Sequence, residues 1–466
     1  MTIIKYTPEQ GEILDYIPEN DGILMVSAGA GTGKSFMAEQ IARLLKPKKG
    51  LYTAFNKAIV TEGTSRFSGV NMECKTLHAL AYKFVRPGKI EDLTYSCITE
   101  KITYSKKALI IKAIDMFFVS DSTDMYSFLK RYFSKEKGVK KLVETATKYI
   151  DLMAEGGISP TFNYLLKCFH LMLVEKSVKC QYDLVILDEI NDTTAVSLEI
   201  FKLIDSPKKL GLGETNQAIY QFLNLVDGFE ELKDEKLLNL TQSFRCSTRI
   251  AKKIQTFMQD EVSDDFRFVG TDEPVMNGKY LYCTLTNALI IDEICTRLSV
   301  GKGFKLLRSA ADIFACPLAL MSASNGKEPY QKKYKFLMDE YSYYQEQPAG
   351  SGSFFQYLLE HVDDNEIQNA VKLLLSFQRR KINLFDIYKR AKSAKVDPNF
   401  TIATVFTSKG LEYETVTIAN DLNNKIQSIR DNGGIQNEED LVAYRCYYVA
   451  ASRCGLNLIN ANKLPN

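Results

Sequence analysis

Histidine occurs only three times in this chain, and its ten cysteines include no Cys-x-x-Cys pair. Both scarcities argue against a zinc or iron–sulfur site, and scattered cysteines fit a reducing compartment. No apolar run reaches the ~18 residues that a membrane-crossing helix requires. The first residues carry no charged-then-apolar leader. The expectation is a soluble, intracellular, cytoplasmic protein with no membrane partner. Excess charge of one sign is missing too: 59 basic residues face 57 acidic ones, a net charge of +2. A polyanion must then be gripped by a local patch, because no global field draws it in. Fixed-period repeats and long low-complexity runs are likewise absent. What remains is ordinary for a globular chain, 45% hydrophobic and 25% charged over 466 residues, with room for about three domains.

Ile23–Ser35 reads Ile-Leu-Met-Val-Ser-Ala-Gly-Ala-Gly-Thr-Gly-Lys-Ser. An apolar run of strand length feeds a glycine-rich turn, and a helix-like segment, Phe36–Leu45, follows. This is the strand–loop–helix setting of a phosphate-binding loop. Gly29, Gly31 and Gly33 let the backbone aim several N–H groups at one anion, and the helix start adds its positive dipole end. Ala28, Gly29, Ala30, Gly31, Thr32, Gly33, Lys34 and Ser35 form the candidate triphosphate cradle. Ala28 stands where the strict pattern has glycine. Lys34 supplies a point charge for the β- and γ-phosphates, and the Ser35 hydroxyl can ligate Mg²⁺. The chain is expected to bind ATP with Mg²⁺.

Further strand patterns occur at Gly50–Phe55, Leu184–Leu187 and Lys209–Leu212. A second block begins near Leu240 and resumes at Thr401–Val405 and Thr415–Ile418. Two Lys- and Tyr-rich stretches interrupt these blocks, with helical periodicity at Ala108–Phe118 and Leu142–Ala154 in the first and the loop Pro348–Ser353 in the second. The expected fold is α/β, with two parallel-sheet domains, each carrying a mostly helical inserted subdomain.

Leu184-Val-Ile-Leu-Asp188-Glu189 is an apolar strand ending in two carboxylates. Where the chain turns, one can hold the metal while the next polarises the attacking water. Asp188 is assigned to the metal and Glu189 to the base. Arg245 and Arg453 lie in the other half of the chain. Phosphoryl transfer leaves charge on the γ-phosphate oxygens, which a guanidinium can stabilise by about 10³–10⁵ in rate.

The order of these motifs resembles that of superfamily 1 helicases of the UvrD/Rep type, including their F-box helicase relatives. The resemblance runs through Thr7–Gln10, the phosphate loop, Ala54–Lys57, Thr76–His78, Asp188–Asp192 and Gly213–Tyr220. It continues through Leu240–Arg245, Thr407–Glu412 and Tyr448–Arg453. It implies two RecA-like P-loop domains: 1–83 plus 178–239, with the insertion 84–177, and 240–305 plus 396–466, with the insertion 306–395. It implies that Gln10 bonds the adenine, Phe244 stacks on it and Glu412 reaches the ribose. Gln217 would reach the γ-phosphate or the attacking water. Phe55, Asn56, Thr76, His78, Tyr220, Phe222, Asn287 and Phe406 fall at or near positions that touch single-stranded DNA, where aromatic faces bind any base at about 1–3 kcal/mol each.

Some positions depart from the family pattern. Asn191 replaces Gln, Glu214 replaces Asp and Leu223 stands where Arg is common. Phe406 replaces His and Ser452 replaces Thr. None removes a group that hydrolysis needs. The chain ends soon after Arg453, so no fused nuclease domain is expected. The implied activity is an ATP-dependent motor moving 3′ to 5′ on single-stranded DNA and unwinding duplexes at single-strand/duplex junctions, acting as a monomer in replication, recombination or repair. A translocase that strips proteins from DNA, and a nucleotide-gated scaffold with little turnover, stay open as alternatives. RNA also stays open, because stacking tolerates both sugars.

Overall fold

A computed structural model describes residues 5–54, 57–102, 104–220, 225–348, 352–362 and 364–465. The chain divides into two compact units, Met1–Thr241 and Gln242–Asn466.

The first unit is built on six strands: β1 (Gly22–Ala28), β2 (Gly50–Ala54), β3 (Met72–Cys74), β4 (Leu184–Asp188), β5 (Lys208–Gly213) and β6 (Lys236–Leu240). They lie in the order β3-β2-β4-β5-β1-β6, and every neighbouring pair is parallel. A parallel sheet needs helical crossovers that cover both faces, so its central strands read as unbroken apolar runs. β4 obeys this. Leu184 and Ile186 pack on one face with Leu24, Val26 and Ile41, while Val185 and Leu187 pack on the other with Met25 and Phe169.

The helices of this unit are α1 (Pro8–Glu19), α2 (Lys34–Leu45), α3 (Lys57–Arg66), α4 (Leu77–Val85), α5 (Tyr104–Val119), α6 (Met125–Tyr132), α7 (Val139–Ala154), α8 (Phe162–Val174), α9 (Ala195–Leu203) and α10 (Gly228–Glu231). α1 starts on a capping box in which Thr7 and Gln10 bond reciprocally, with Pro8 at the first helical position. Helices α5 to α7 close over a core of their own, including Ile114, Phe118, Leu129 and Tyr149. α8 joins this core to the sheet: Tyr164 packs on one side, and Leu165, Leu166 and Phe169 on the other. Its buried Lys167 donates to the carbonyls of Ser120 and Ser122 just beyond the end of α5, at 2.6 and 2.8 Å. Burial pushes that ammonium down to a pKa of about 8.

The second unit opens with a parallel pair, β7 (Gln242–Ser247) and β8 (Val269–Thr271). Its main sheet has five strands, β9 (Tyr280–Thr284), β10 (Lys305–Leu306), β11 (Phe400–Thr404), β12 (Tyr413–Ile418) and β13 (Cys454–Ile459), ordered β10-β11-β9-β12-β13 and parallel throughout. The helices are α11 (Thr248–Glu261), α12 (Asn287–Ser299), α13 (Ala310–Ile313), α14 (Ala315–Ser324), α15 (Leu337–Gln345), α16 (Phe354–His361), α17 (Asn365–Arg379), α18 (Leu384–Lys392), α19 (Val405–Ser408), α20 (Asn420–Asp431) and α21 (Glu438–Ala451). α13 to α18 bury a common core with α12 through Phe314, Leu320, Leu358, Leu374 and Phe377.

No described helix is long and apolar enough to cross a membrane. The two α/β units with parallel sheets accord with RecA-like P-loop architecture. The strand patterns read from the sequence appear as β2, β4, β5, β11 and β12, and the two helical periodicities fall in α5 and α7. Phe55 and residues 349–351 lie outside the described residues.

Phe169 is fully buried and stacks on Phe84 at 4.9 Å, tying α8 to α4. Phe169→Ala is expected to lower the stability of the first unit by about 3–5 kcal/mol, read as a lower denaturant midpoint for its unfolding.

Candidate nucleotide and nucleic-acid site

Because the first sheet is all parallel, the loops that follow its strands emerge at one edge, where ligands of open α/β sheets bind. Residues 29–33, 75–76, 189–194 and 214–220 follow β1, β3, β4 and β5 at that edge. Segments far apart in the chain are thereby gathered by topology.

The phosphate loop leaves β1 with its Gly29 N–H bonded to the Leu240 carbonyl at the end of β6, at 3.0 Å. Thr32 folds back, donating from both its N–H and its hydroxyl to the Gly29 carbonyl. Gly31 and Gly33 have φ of 74° and 88°, a left-handed backbone that glycine adopts without strain. Ala28 is the last residue of β1, buried in the sheet register opposite Leu240. A side chain is tolerated there because the turn begins only after it. α2 starts at Lys34, so the first-turn N–H groups of Lys34, Ser35 and Phe36 have no carbonyl four residues back to bond. A donor set of this kind at a helix start fits a phosphate.

At the end of β4, Asp188 is buried at 2% exposure, yet its carboxylate is fully engaged. Oδ1 lies 2.9 Å from Lys34 Nζ and accepts the Glu189 N–H at 2.9 Å. Oδ2 accepts the Tyr52 hydroxyl at 2.5 Å. Lys34 also donates to Glu189 Oε1. Burial opposes the charge on Lys34, but Asp188 and Glu189 outweigh it and raise the ammonium above its ordinary pKa. Glu189 itself has φ 57°, a left-handed conformation rare for a non-glycine residue. The groups paired with Lys34 are carboxylates, and Ser35, the second residue of α2, offers a hydroxyl oxygen next to it in sequence. Oxygen groups of this kind, with a cation already seated on the carboxylates, suit Mg²⁺.

Asn191 is fully buried and clasps β4 to β5. Its Oδ1 accepts the Glu214 N–H at 3.0 Å, while its Nδ2 has no partner among the described residues. Gln217 donates from Nε2 to the buried Glu214 carboxylate. Gln10 is buried and holds the Thr7 N–H through Oε1 at 3.1 Å.

The second unit carries another set. Phe244 on β7 is 47% exposed, a large ring available for stacking. Arg245 beside it is buried, donating to the Ser452 carbonyl at 3.1 Å and reaching Glu412 Oε2 at 3.5 Å. Arg453 is 1% exposed, with its Nε on the Val449 carbonyl at 3.0 Å. Residues 207 positions apart, Arg245 and Ser452, are thus in direct contact.

Thr76 N-caps α4, accepting from the Ala79 N–H at 3.2 Å. His78 is half-buried and its ring meets Phe162 edge-on at 6.1 Å. Desolvation lowers its pKa, partly offset by a bond to Asn163. Tyr220 is half-buried just beyond β5. Asn287 is the first residue of α12 and Phe406 the second of α19, shortly after strands β9 and β11, whose ends pair through Thr284 and Thr404. Phe406 is half-buried, so its ring is not enclosed in core. Phe55, Asn56, Phe222 and Leu223 lie outside the described residues.

Two features went unread in the sequence. Phe162, 56% exposed at the start of α8, places an aromatic ring on His78; a large apolar residue directly after the capping Thr161 was the available signal. Residues 372–395 hold eight Lys and Arg against one acidic residue, Asp386, and all eight are exposed. Lys389 lies over the Phe385 ring at 4.5 Å, and Lys392 over Tyr388 at 5.6 Å. A windowed charge sum along the chain finds this patch.

Gly213 closes β5 against Asn191. A methyl group at position 213 falls well inside contact distance of Asn191 Oδ1 and pushes the amide off the Glu214 N–H. Gly213→Ala is expected to cost about 1–3 kcal/mol of stability, the penalty of a broken buried bond, and to weaken nucleotide binding. Denaturant titration and a fluorescent-nucleotide titration measure the two effects.

A family model described as an AAA domain matches residues 16–223. The chain is 23% identical to F-box DNA helicase 1 of Gallus gallus, over 99% of its own length and 50% of the relative's. It is 24% identical to F-box DNA helicase protein 1 of Schizosaccharomyces pombe (strain 972 / ATCC 24843), over 91% and 53% respectively. The chain spans about half the length of the curated relatives it matches. Residues 16–223, which hold the phosphate loop and the paired carboxylates, thus match an AAA domain, and the chain is similar over nearly its whole length to part of the F-box DNA helicases.

Proposed function

We propose that this protein is an ATP-hydrolysing motor that moves 3′ to 5′ on single-stranded DNA and separates duplexes at single-strand/duplex junctions. The observation that carries the reading is Lys34, seated on the Asp188 and Glu189 carboxylates at the edge of the sheet from which Thr76 and Tyr220 also emerge. The polarity rests on the family resemblance. Residues 84–177 and 306–395 are read as helical insertions in two RecA-like domains.

ATP phosphates draw Lys34 off the carboxylates and take the first-turn N–H groups of α2. Mg²⁺, held by Ser35 and Asp188, would neutralise charge developing on the phosphates. Glu189, released from Lys34, accepts a proton from the attacking water, which Gln217 orients. The family resemblance assigns Arg245 and Arg453 to the γ-phosphate oxygens. The same resemblance assigns Gln10, Phe244 and Glu412 to the nucleoside. Phe406, His78 and the exposed Phe162 ring stack on bases without reading sequence. The cations of residues 372–395 supply a local grip on phosphates that the net charge of +2 does not.

Lys34→Ala is expected to weaken ATP binding and turnover together. Glu189→Gln keeps the shape but loses the base, so ATP still binds while turnover falls about 10²-fold or more. Equal loss of affinity in both variants contradicts the assigned roles.

ATPase activity is expected to rise with single strands and the stimulation to fall with salt, as counterion release requires. Phe406→Ala should cost about 1–3 kcal/mol of strand affinity while leaving strand-free ATPase intact. DNA and RNA strands, then 3′- and 5′-tailed duplexes, assayed in parallel identify the substrate and polarity. Indifference to every strand favours a nucleotide-gated scaffold; strand-stimulated turnover without unwinding favours a translocase that strips bound proteins.

A further inference from the structure

We infer that Tyr52 is a positioning residue for Asp188, fixing which of its oxygens faces the metal when Lys34 departs. The inference rests on reading Asp188 as the metal carboxylate. Among the described residues, Lys34 and the Glu189 N–H share Oδ1 of Asp188, and Tyr52 holds Oδ2. The proposed catalytic cycle removes Lys34 to the phosphates. Oδ1 is then released to a cation, while Oδ2 stays tied to the tyrosine. A carboxylate pinned at one oxygen cannot rotate to present the other.

The tyrosine is itself immobilised. It sits on β2, buried, with its ring 5.0 Å from that of Phe67. A side chain on Gly63 of α3 would come within 2.8 Å of its Cε1 atom. Tyr52 pairs with Ile186 in the sheet register, and Ile186 and Asp188, two residues apart on one strand, share a face. The hydroxyl therefore reaches the carboxylate from a packed ring wedged between strand and helix. A ring that served packing alone would need no hydroxyl at this place. Partners of this kind around a metal ligand typically change metal affinity about 10- to 100-fold when removed.

The test compares AMP-PNP affinity of the full chain with Mn²⁺ and in EDTA; their ratio is the gain due to metal. Tyr52→Phe keeps the ring and should shrink that ratio about tenfold, with affinity in EDTA and melting temperature near wild type. Asp188→Asn should shrink it at least as much, and the double variant no further. Gly63→Ala, which crowds the ring without removing the hydroxyl, should shift the ratio in the same direction by less, and keeps the question answerable if Tyr52→Phe folds poorly. An unchanged ratio in folded Tyr52→Phe overturns the inference, as does a further loss on top of Asp188→Asn. An unchanged ratio in Asp188→Asn overturns the metal assignment of Asp188, and the role of Tyr52 with it.

Discussion

The parallel direction of the strands is the constraint from which the rest follows. Six strands run the same way in the first unit and five in the main sheet of the second. Strand-following loops of each sheet therefore meet at one edge, whatever their distance in sequence. In the first unit this brings Lys34, Asp188 and Glu189 within ion-pair reach across more than 150 residues. In the second it sets Asn287 and Phe406 within three residues of the paired strand ends Thr284 and Thr404. The chemistry is local to these edges, and the helices secure the edges by covering both faces.

The charge arrangement at the first edge is balanced without a ligand. Two carboxylates, one of them almost without solvent, tolerate burial because an ammonium and two further donors satisfy them. Lys34 gains from the same contacts and stays protonated. Phosphates compete for this ammonium, so nucleotide arrival exchanges one set of anions for another instead of exposing a bare charge. The same exchange frees the carboxylates for their proposed duties.

The phosphate loop and the carboxylate pair were legible because each is a continuous stretch in which neighbouring residues carry the whole signal. Lys34 and Glu189 could be given roles from sequence, and the structure brings them together. β4 was legible from its unbroken apolar run, as burial on both faces requires. β3 was not: it is three residues long and half-buried, too short for periodicity to register. Tyr52 was invisible because its partner lies 136 residues away and its own strand reads as core. The pairing of Arg245 with Glu412 was hidden for the same reason. The basic stretch at 372–395 was masked by the even balance of the whole chain, since compensating acids lie elsewhere. Asn191, read only as a shortened Gln, proves to be a clasp between two strands, a role its spacing does not announce.

Glu189 holds a backbone shape that L-residues with a Cβ avoid, at a cost of about 1–2 kcal/mol. Glycine would relieve that strain, and asparagine would lessen it. The chain nevertheless places there a long acidic side chain that reaches Lys34. At this single position folding and activity pull in opposite directions. Drift toward greater robustness is thus blocked where it would be easiest, and the sheet around β4 must supply the difference through its two apolar faces.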